Sequence, residues 1–486
     1  MRLTRRSVAL VALAGAAACE TDLTGLNTNP NSPTTAPAAS LFTSATVSTV
    51  PRFTGNTLSL TSLFAQHVAQ VQYVDEDRGR IRSTTIDGMF AGMYVVELED
   101  YTKVIAQSTN PNIVGPARIM KAWIFQNATD LWGDIPYSEA NQGDITANFK
   151  PKYDTQQSIY TDVLATLTSA SAALVPGGSG FGGADPIFAG DASKWKTFAN
   201  SLRARMAMRM LKNASAAAGT ELTAAFAAGV MASNADNAKL TWPGDGVFDN
   251  PLAATFSTRD DHRVSKTLLD TMNALADPRV KVYAQPTKAD PTKYTGLQNG
   301  MNNVTVTPFF NTTSRLGTMF YPGATVYGTF GTSAGKKTPS YLMTYAEVCF
   351  LQAEAAERVL GGLSGAAAYY NAGVTASILQ WGGTAAEATA YLAVAGVAYV
   401  PGATGLKQIG LQKWIALFTQ GTEAWSEWRR TGNPATIAPG PSAYWPYVNR
   451  RLTYPSNEQS VNAANLAAAI ARQGVDDYST RVWWDK

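Results

Sequence analysis

Two histidines in 486 residues leave little scope for imidazole chemistry. His67, in SLFAQHVAQ, falls on a helical apolar pattern and reads as a satisfied core or surface residue. His262 follows the acidic pair Asp260-Asp261. Neither belongs to an HExxH pattern and no third ligand lies at metal-binding spacing, so no metal site is expected. Asp260-Asp261 could assist a calcium ion, but the ligand spacing of an EF-hand loop is absent. The carboxylate pairs Asp245/Asp249 and Glu354/Glu357 would serve a glycosidase only if the fold set them across a sugar. Glu354 and Glu357 share a helix, where exposure or pairing at the packing edge is expected. The run GGSGFGG matches G-x-G-x-x-G at Gly178, Gly180 and Gly183, but a helix and Pro176 precede it where a dinucleotide fingerprint needs a strand. It reads as a loop. No catalytic residue and no cofactor follow from these patterns.

The cysteines carry a different message. Only two are present, and Cys19 stands directly after MRLTRRSVALVALAGAAA. A basic start, a short uncharged apolar run and small residues form the anatomy of a signal peptide, here residues 1–18. The run is shorter than the ~20 apolar residues that a membrane span needs. Small residues before a cysteine resemble the lipobox of bacterial lipoproteins, in which the thiol is acylated. Ala16 stands where that motif has leucine, and Ala16–Ala18 also fits ordinary A-x-A cleavage. Because a lone reactive thiol would be odd at an exported N-terminus, Cys19 reads as a lipid attachment site. Cys349, in YAEVCFLQAEAAER, sits on an apolar helical stripe and reads as buried packing.

These elements need a scaffold. At 45% hydrophobic residues the chain can bury a large core, and its net charge of +3 without a basic block argues against nucleic acid as a partner. Residues 19–40, rich in Pro, Asn and Thr, read as a lipidated tether, and residues 41–486 as one domain. In DASKWKTFANSLRARMAMRML, Trp195, Phe198, Leu202, Met206 and Met210 recur at helical spacing behind a capping Asp191. In SYLMTYAEVCFLQAEAAERVL the stripe is Leu342, Tyr345, Cys349, Ala353 and Ala356, with Ser340 as the cap and Gly361-Gly362 as the stop. LQKWIALFTQGTEAWSEWRR carries Leu411, Ile415, Phe418 and Trp425, and its terminal Arg429 and Arg430 suit a helix C-terminus, a structural role. From about 235 to 340 these patterns fade, apart from a helix around SKTLLDTMNALAD. Gly, Pro, Asn and scattered aromatics take over, which is the texture of loops that carry binding groups.

The segments LNTNPNSPT, TDLWGDIPYSEA, DASKWKTFANSLRARMAMR, DDHRVSKTLLDTMNALADPRVKVYAQP, YAEVCFLQAEAAER, QKWIALFTQGTEAWSEWRRTGNP and RLTYPSNEQSVNAAN occur in that order along the chain. Together they resemble the SusD/RagB family of outer-membrane nutrient-binding lipoproteins, in its SusD-like branch. The resemblance implies a mainly α fold, in which tetratricopeptide-like helix pairs support a large irregular ligand-binding region. It also implies a cell-surface location and a SusC-like TonB-dependent transporter barrel as the partner that receives captured oligosaccharide. In such proteins two loop regions hold the ligand, here Val71 to Arg82 and Thr307 to Phe330. Sugars present C–H faces to aromatic rings and hydroxyls to planar polar groups. The expected ligand-binding residues are therefore Tyr73, Asp75, Arg78 and Arg80 from the first region, Phe309, Phe310, Tyr321 and Tyr327 from the second, and Trp242 nearby. A peptide-binding scaffold of the same architecture and a glycoside hydrolase are the alternatives.

Overall fold

The computed structural model describes residues 36–55, 60–320 and 335–486. Cys19, the leader, most of the tether, Tyr321 and Tyr327 lie outside the described residues. The first described helix, α1 (Ala38–Thr54), begins inside the segment expected as tether.

Long helices dominate, and their ends are written locally. Helix α2 (Ser83–Gly92) runs through a π-helical turn, Met93–Leu98, into α3 (Glu99–Ala106). Helix α4 (Pro111–Trp132) starts with proline at its first position, while the Asn110 side chain accepts from the Asn112 amide. Helix α5 spans Gln156–Ala173, and α6 spans Ala192–Arg209 behind Asp191, whose carboxylate accepts from the Ser193 and Lys194 amides. Helix α7 (Ser215–Ala227) completes a run in which α4 packs on α5, α5 on α6 and α6 on α7. After the short α8 (Lys266–Ala274), a second run comprises α9 (Tyr345–Glu357), α10 (Ala366–Gln380), α11 (Ala385–Leu392), α12 (Ala403–Ala416), α13 (Gly421–Thr431) and α14 (Ala463–Gln473). Helices α9 and α10 approach closely because Gly373 faces Phe350, where an added Cβ would meet the ring at 2.9 Å. The architecture is a mainly α scaffold of paired helices with an irregular region inserted between its two runs.

Two local expectations change. Ser340 does not cap α9: Ser340–Met343 is a strand, β6, paired antiparallel with β4 (Ala238–Leu240), and Thr344 caps the helix instead. Both β6 edges of side chains are buried, so alternation gave no strand signal. LQKWIALFTQGTEAWSEWRR is two helices, α12 and α13, separated at Thr419, which takes a left-handed φ of 74°.

Pairing of β1 (Val68–Gln70) with β5 (His262–Val264), Val68 opposite Val264, carries the chain after α1 to the irregular region. β2 (Ile135–Pro136) and β3 (Tyr153–Asp154) form the remaining ladder.

The centre of the scaffold is polar as well as apolar. Trp132, Trp195, Trp414, Trp425 and Trp484 are fully buried, and among them lies a lattice of buried charges. Arg205 on α6 clasps Glu347 of α9 through two bonds of 2.7 Å. One turn on, Arg209 bridges Asp130 of α4 and Glu423 of α13. Lys413 of α12 lies 3.2 Å from Glu427, and Arg430 joins Glu427 to Glu354 of α9. Glu354, expected at a packing edge, is thus inside the lattice. Arg429 is buried too, donating to the carbonyls of Asp130 and Arg450. The structural reading of the WSEWRR segment fits these contacts.

His67 occupies a bend ahead of β1, buried against Trp414 and Phe418, with Nε2 donating 2.9 Å to the Trp414 carbonyl and Nδ1 unpaired. Burial lowers its pKa to about 3. Because the folded-state value lies below the unfolded one, the stability linked to His67 is complete above about pH 6.5 and is lost as pH falls toward 3. We expect the stability gap between the wild type and His67→Gln to shrink by roughly 3 kcal/mol between pH 7.5 and about pH 4. Urea melts at both pH values test this, and a constant gap would place the histidine outside the acid response.

Candidate functional site

The site begins where β1 ends. Val71 donates 2.7 Å to the Asp261 carbonyl, and the chain then turns through residues 72–80. Val71 and Val74 bury their side chains in a small satellite core with Ala69, Leu297 and Val306, against which Phe310 packs. The two regions expected to hold ligand therefore meet. Between the two valines Tyr73 is turned outward, 60% exposed, at a left-handed φ of 54° that is uncommon for a bulky residue. Asp77 fastens the loop from below. Its carboxylate accepts from Asn299 Nδ2 at 2.6 Å, from the Gly300 amide at 3.0 Å and from the Gln70 amide at 3.3 Å. Burial nonetheless lifts its pKa to about 7.

Segment 438–449 closes over the same loop and was not anticipated. The Tyr444 amide donates 2.8 Å to the Arg78 carbonyl, and Asn449 Nδ2 and Trp445 Nε1 both donate to the Gly79 carbonyl. Three of the expected residues converge on Tyr444. Asp75 accepts its hydroxyl at 2.7 Å, and the guanidinium carbons of Arg78 and Arg80 lie 4.0 and 3.9 Å from its ring centroid. The hydrogen bond to Asp75 raises the phenol pKa. Arg78 also donates 2.7 Å to the Ser442 carbonyl and 2.9 Å to the Tyr444 oxygen. The sequence did carry a signal in GPSAYWPYVN, where three aromatics stand among Gly and Pro, but that run lies beyond the irregular region.

On the other flank, Arg259 lies 4.9 Å from the Tyr73 ring centroid and is paired with Asp261. Arg263 backs Phe310 at 4.6 Å and donates to its carbonyl, so Phe310 is half-buried and positions the loop. Its neighbour Phe309 is 40% exposed. Trp242 behaves differently from expectation. It is buried, with Nε1 donating 3.0 Å to Ser340 Oγ on the neighbouring strand, and it offers no ring face to a ligand. Asp260 is committed to Arg263 and Arg315. The gap beneath the loops, between Gly79, Asn299 and Gly440, holds only about 30 Å³. What these residues offer a ligand is therefore an open surface of rings and guanidinium groups, suited to the C–H faces and hydroxyls of a polar polymer.

Close backbone contact holds the third loop in place. A Cβ on Gly440 would lie 1.9 Å from the Asn299 carbonyl and 2.6 Å from Gly300 Cα. Gly440→Ala should push segment 438–449 off residues 299–300, costing about 1–3 kcal/mol and exposing Trp445. A red-shifted tryptophan emission with helical circular dichroism intact is expected. An unchanged spectrum and melt would show that the contact does not hold the loop.

Paired helices carry a loop-built surface of exposed rings and arginines, and that surface is the candidate binding site. The chain belongs to the SusD-like family, whose model, described as starch-binding and associating with the outer membrane, matches residues 30–455. A solved chitin-binding protein is 30% identical, with a TM-score of 0.80 over 93% of this chain and 100% of that one. A SusD homologue from Bacteroides uniformis superposes with a TM-score of 0.80 at 25% identity, covering 93% of this chain and 100% of that one. A chitin-binding SusD homologue from Flavobacterium johnsoniae gives 0.77 at 26% identity, covering 92% and 98%. No curated protein matches the chain. Among the described residues, no helix is long and apolar enough to cross a membrane.

Proposed function

We propose that this protein is a surface-exposed, lipid-anchored binding protein that captures oligosaccharide without cleaving it and delivers it to a SusC-like TonB-dependent transporter. The observation that carries this reading is the convergence of Asp75, Arg78 and Arg80 on Tyr444, beside the exposed rings of Tyr73 and Phe309. Rings supply flat faces for the sugar C–H surface, and the arginines supply planar donors for its hydroxyls. Family membership and the chitin-binding relatives favour a glycan, with β-linked N-acetylglucosamine oligomers as the first class to try. Acyl chains on Cys19 would supply the membrane affinity, and Tyr321 and Tyr327 remain part of the proposed ligand-binding set.

The test is a tryptophan-fluorescence titration with chito-oligosaccharides, malto-oligosaccharides and peptides, followed by chromatography of the same samples. Trp445 lies against the site and is a suitable reporter. Saturable glycan binding with no shortened products is expected. Product release would make the protein a hydrolase, and saturation by peptides alone would overturn the glycan assignment.

A further inference from the structure

A second cleft, of about 310 Å³, opens in the helical scaffold between α3, α4, α5 and the segment that follows β2. Its volume lies at the small end of the ~300–1,000 Å³ range of ligand pockets. Arg118 and Lys121 both line it from α4. Three residues apart on one helix, they face the same way and repel each other. Among the described residues neither has a carboxylate within ion-pair distance. Lys121 is largely enclosed, and its only described hydrogen bond is 2.7 Å to Thr102 Oγ1. Glu99, whose charge favours the ammonium, is occupied by Lys103 at 3.3 Å and by Asn141 Nδ2. Burial and Arg118 leave the ammonium with a pKa lowered to about 8. Enclosed charge without a counter-ion is costly, and a ligand anion would relieve it.

The remaining walls narrow the chemistry. Phe125 and Tyr137 meet edge to face, with centroids 4.6 Å apart, and form an apolar side. Asp162 also lines the cleft, its carboxylate taking the Tyr137 hydroxyl. A carboxylate there repels a simple anion but accepts hydrogen bonds from hydroxyl groups. A molecule that suits all of these walls has a carboxylate at one end, hydroxyls at the other and a C–H face between them. We infer that the cleft between α3, α4 and α5 is a separate binding site for a sugar carboxylate, a uronic acid residue free or at a chain end, held by Lys121 and Arg118.

Calorimetric titration of the purified protein with D-glucuronate, D-glucose and acetate tests this. Glucuronate should saturate at least tenfold more tightly than either of the others. Lys121→Met should weaken it tenfold or more with a melting temperature at or above that of the wild type, since the unpaired charge is removed. Arg118→Gln, a change at an exposed side chain, should weaken it severalfold and serves as the arbiter if the lysine variant does not fold. Tyr444→Ala should leave glucuronate binding intact, which separates this cleft from the loop site. Equal binding of glucose overturns the anion site, equal binding of acetate overturns the sugar, and wild-type affinity in both charge variants overturns the assignment of residues.

Discussion

Arg209→Met is expected to lower the unfolding free energy by about 3–5 kcal/mol, because it strands buried carboxylates rather than because it removes an attraction. Arg209 is fully buried and bridges Asp130 and Glu423, so one side chain neutralises acids from two helices. Asp130 would keep its bonds from Tyr160, Gln126 and Trp484, but Glu423 would be left with Arg205 at 3.4 Å and Lys413 at 3.9 Å, both already engaged by other carboxylates. A protein of ordinary stability, about 5–15 kcal/mol, loses a large share of its margin at such a cost. Arg209→Lys retains the charge but cannot fork between two carboxylates, and an intermediate loss is expected. Denaturant melts of both variants measure the effect. A loss below about 1 kcal/mol for the methionine variant would mean that the stranded acids neutralise themselves by taking up protons, and the lattice would not then hold the helices.

Tyr444→Ala should reduce affinity for a bound oligosaccharide at least tenfold, about 1.4 kcal/mol or more. The substitution removes the ring against which Arg78 and Arg80 rest and the hydroxyl that Asp75 accepts. It therefore frees two guanidinium groups to wander and leaves the Asp75 carboxylate without its hydroxyl donor. Tyr444→Phe keeps the ring and should bind within a few-fold of the wild type. The pair Tyr73→Ala with Phe309→Ala should match the loss at Tyr444, since both rings are exposed and their removal leaves the core intact. Titration of all three with the preferred glycan, with the melting temperature as a control, decides the matter. Wild-type affinity throughout would move the binding surface away from these loops.

Much of the scaffold was legible because its signals are local. Asp191 ahead of a stripe at spacings of three and four specifies α6 within a few residues of where it forms, since capping and periodicity act over a single turn. Tyr73, Asp75, Arg78 and Arg80 could be singled out as one loop because they are neighbours in the chain. Their common target could not. Tyr444 lies more than 360 residues further on by the Asp75 contact, and nothing within either segment encodes the meeting. It depends on the Asp77 clamp to Asn299 and on the Gly440 contact with the same turn. Trp242 shows the converse: an aromatic in a loop-rich stretch has no local mark of burial, and only pairing of β4 with β6 encloses it. The strand Ser340–Met343 is hidden for a related reason, as a fully buried strand reads like the first turn of the helix that follows it. By itself, then, the sequence determined the helical elements, the loop-rich insert and the residue types of the first binding loop. The tertiary structure decided which loops face one another, which rings remain exposed and which charges are enclosed, because each of those depends on contacts between segments distant in the chain.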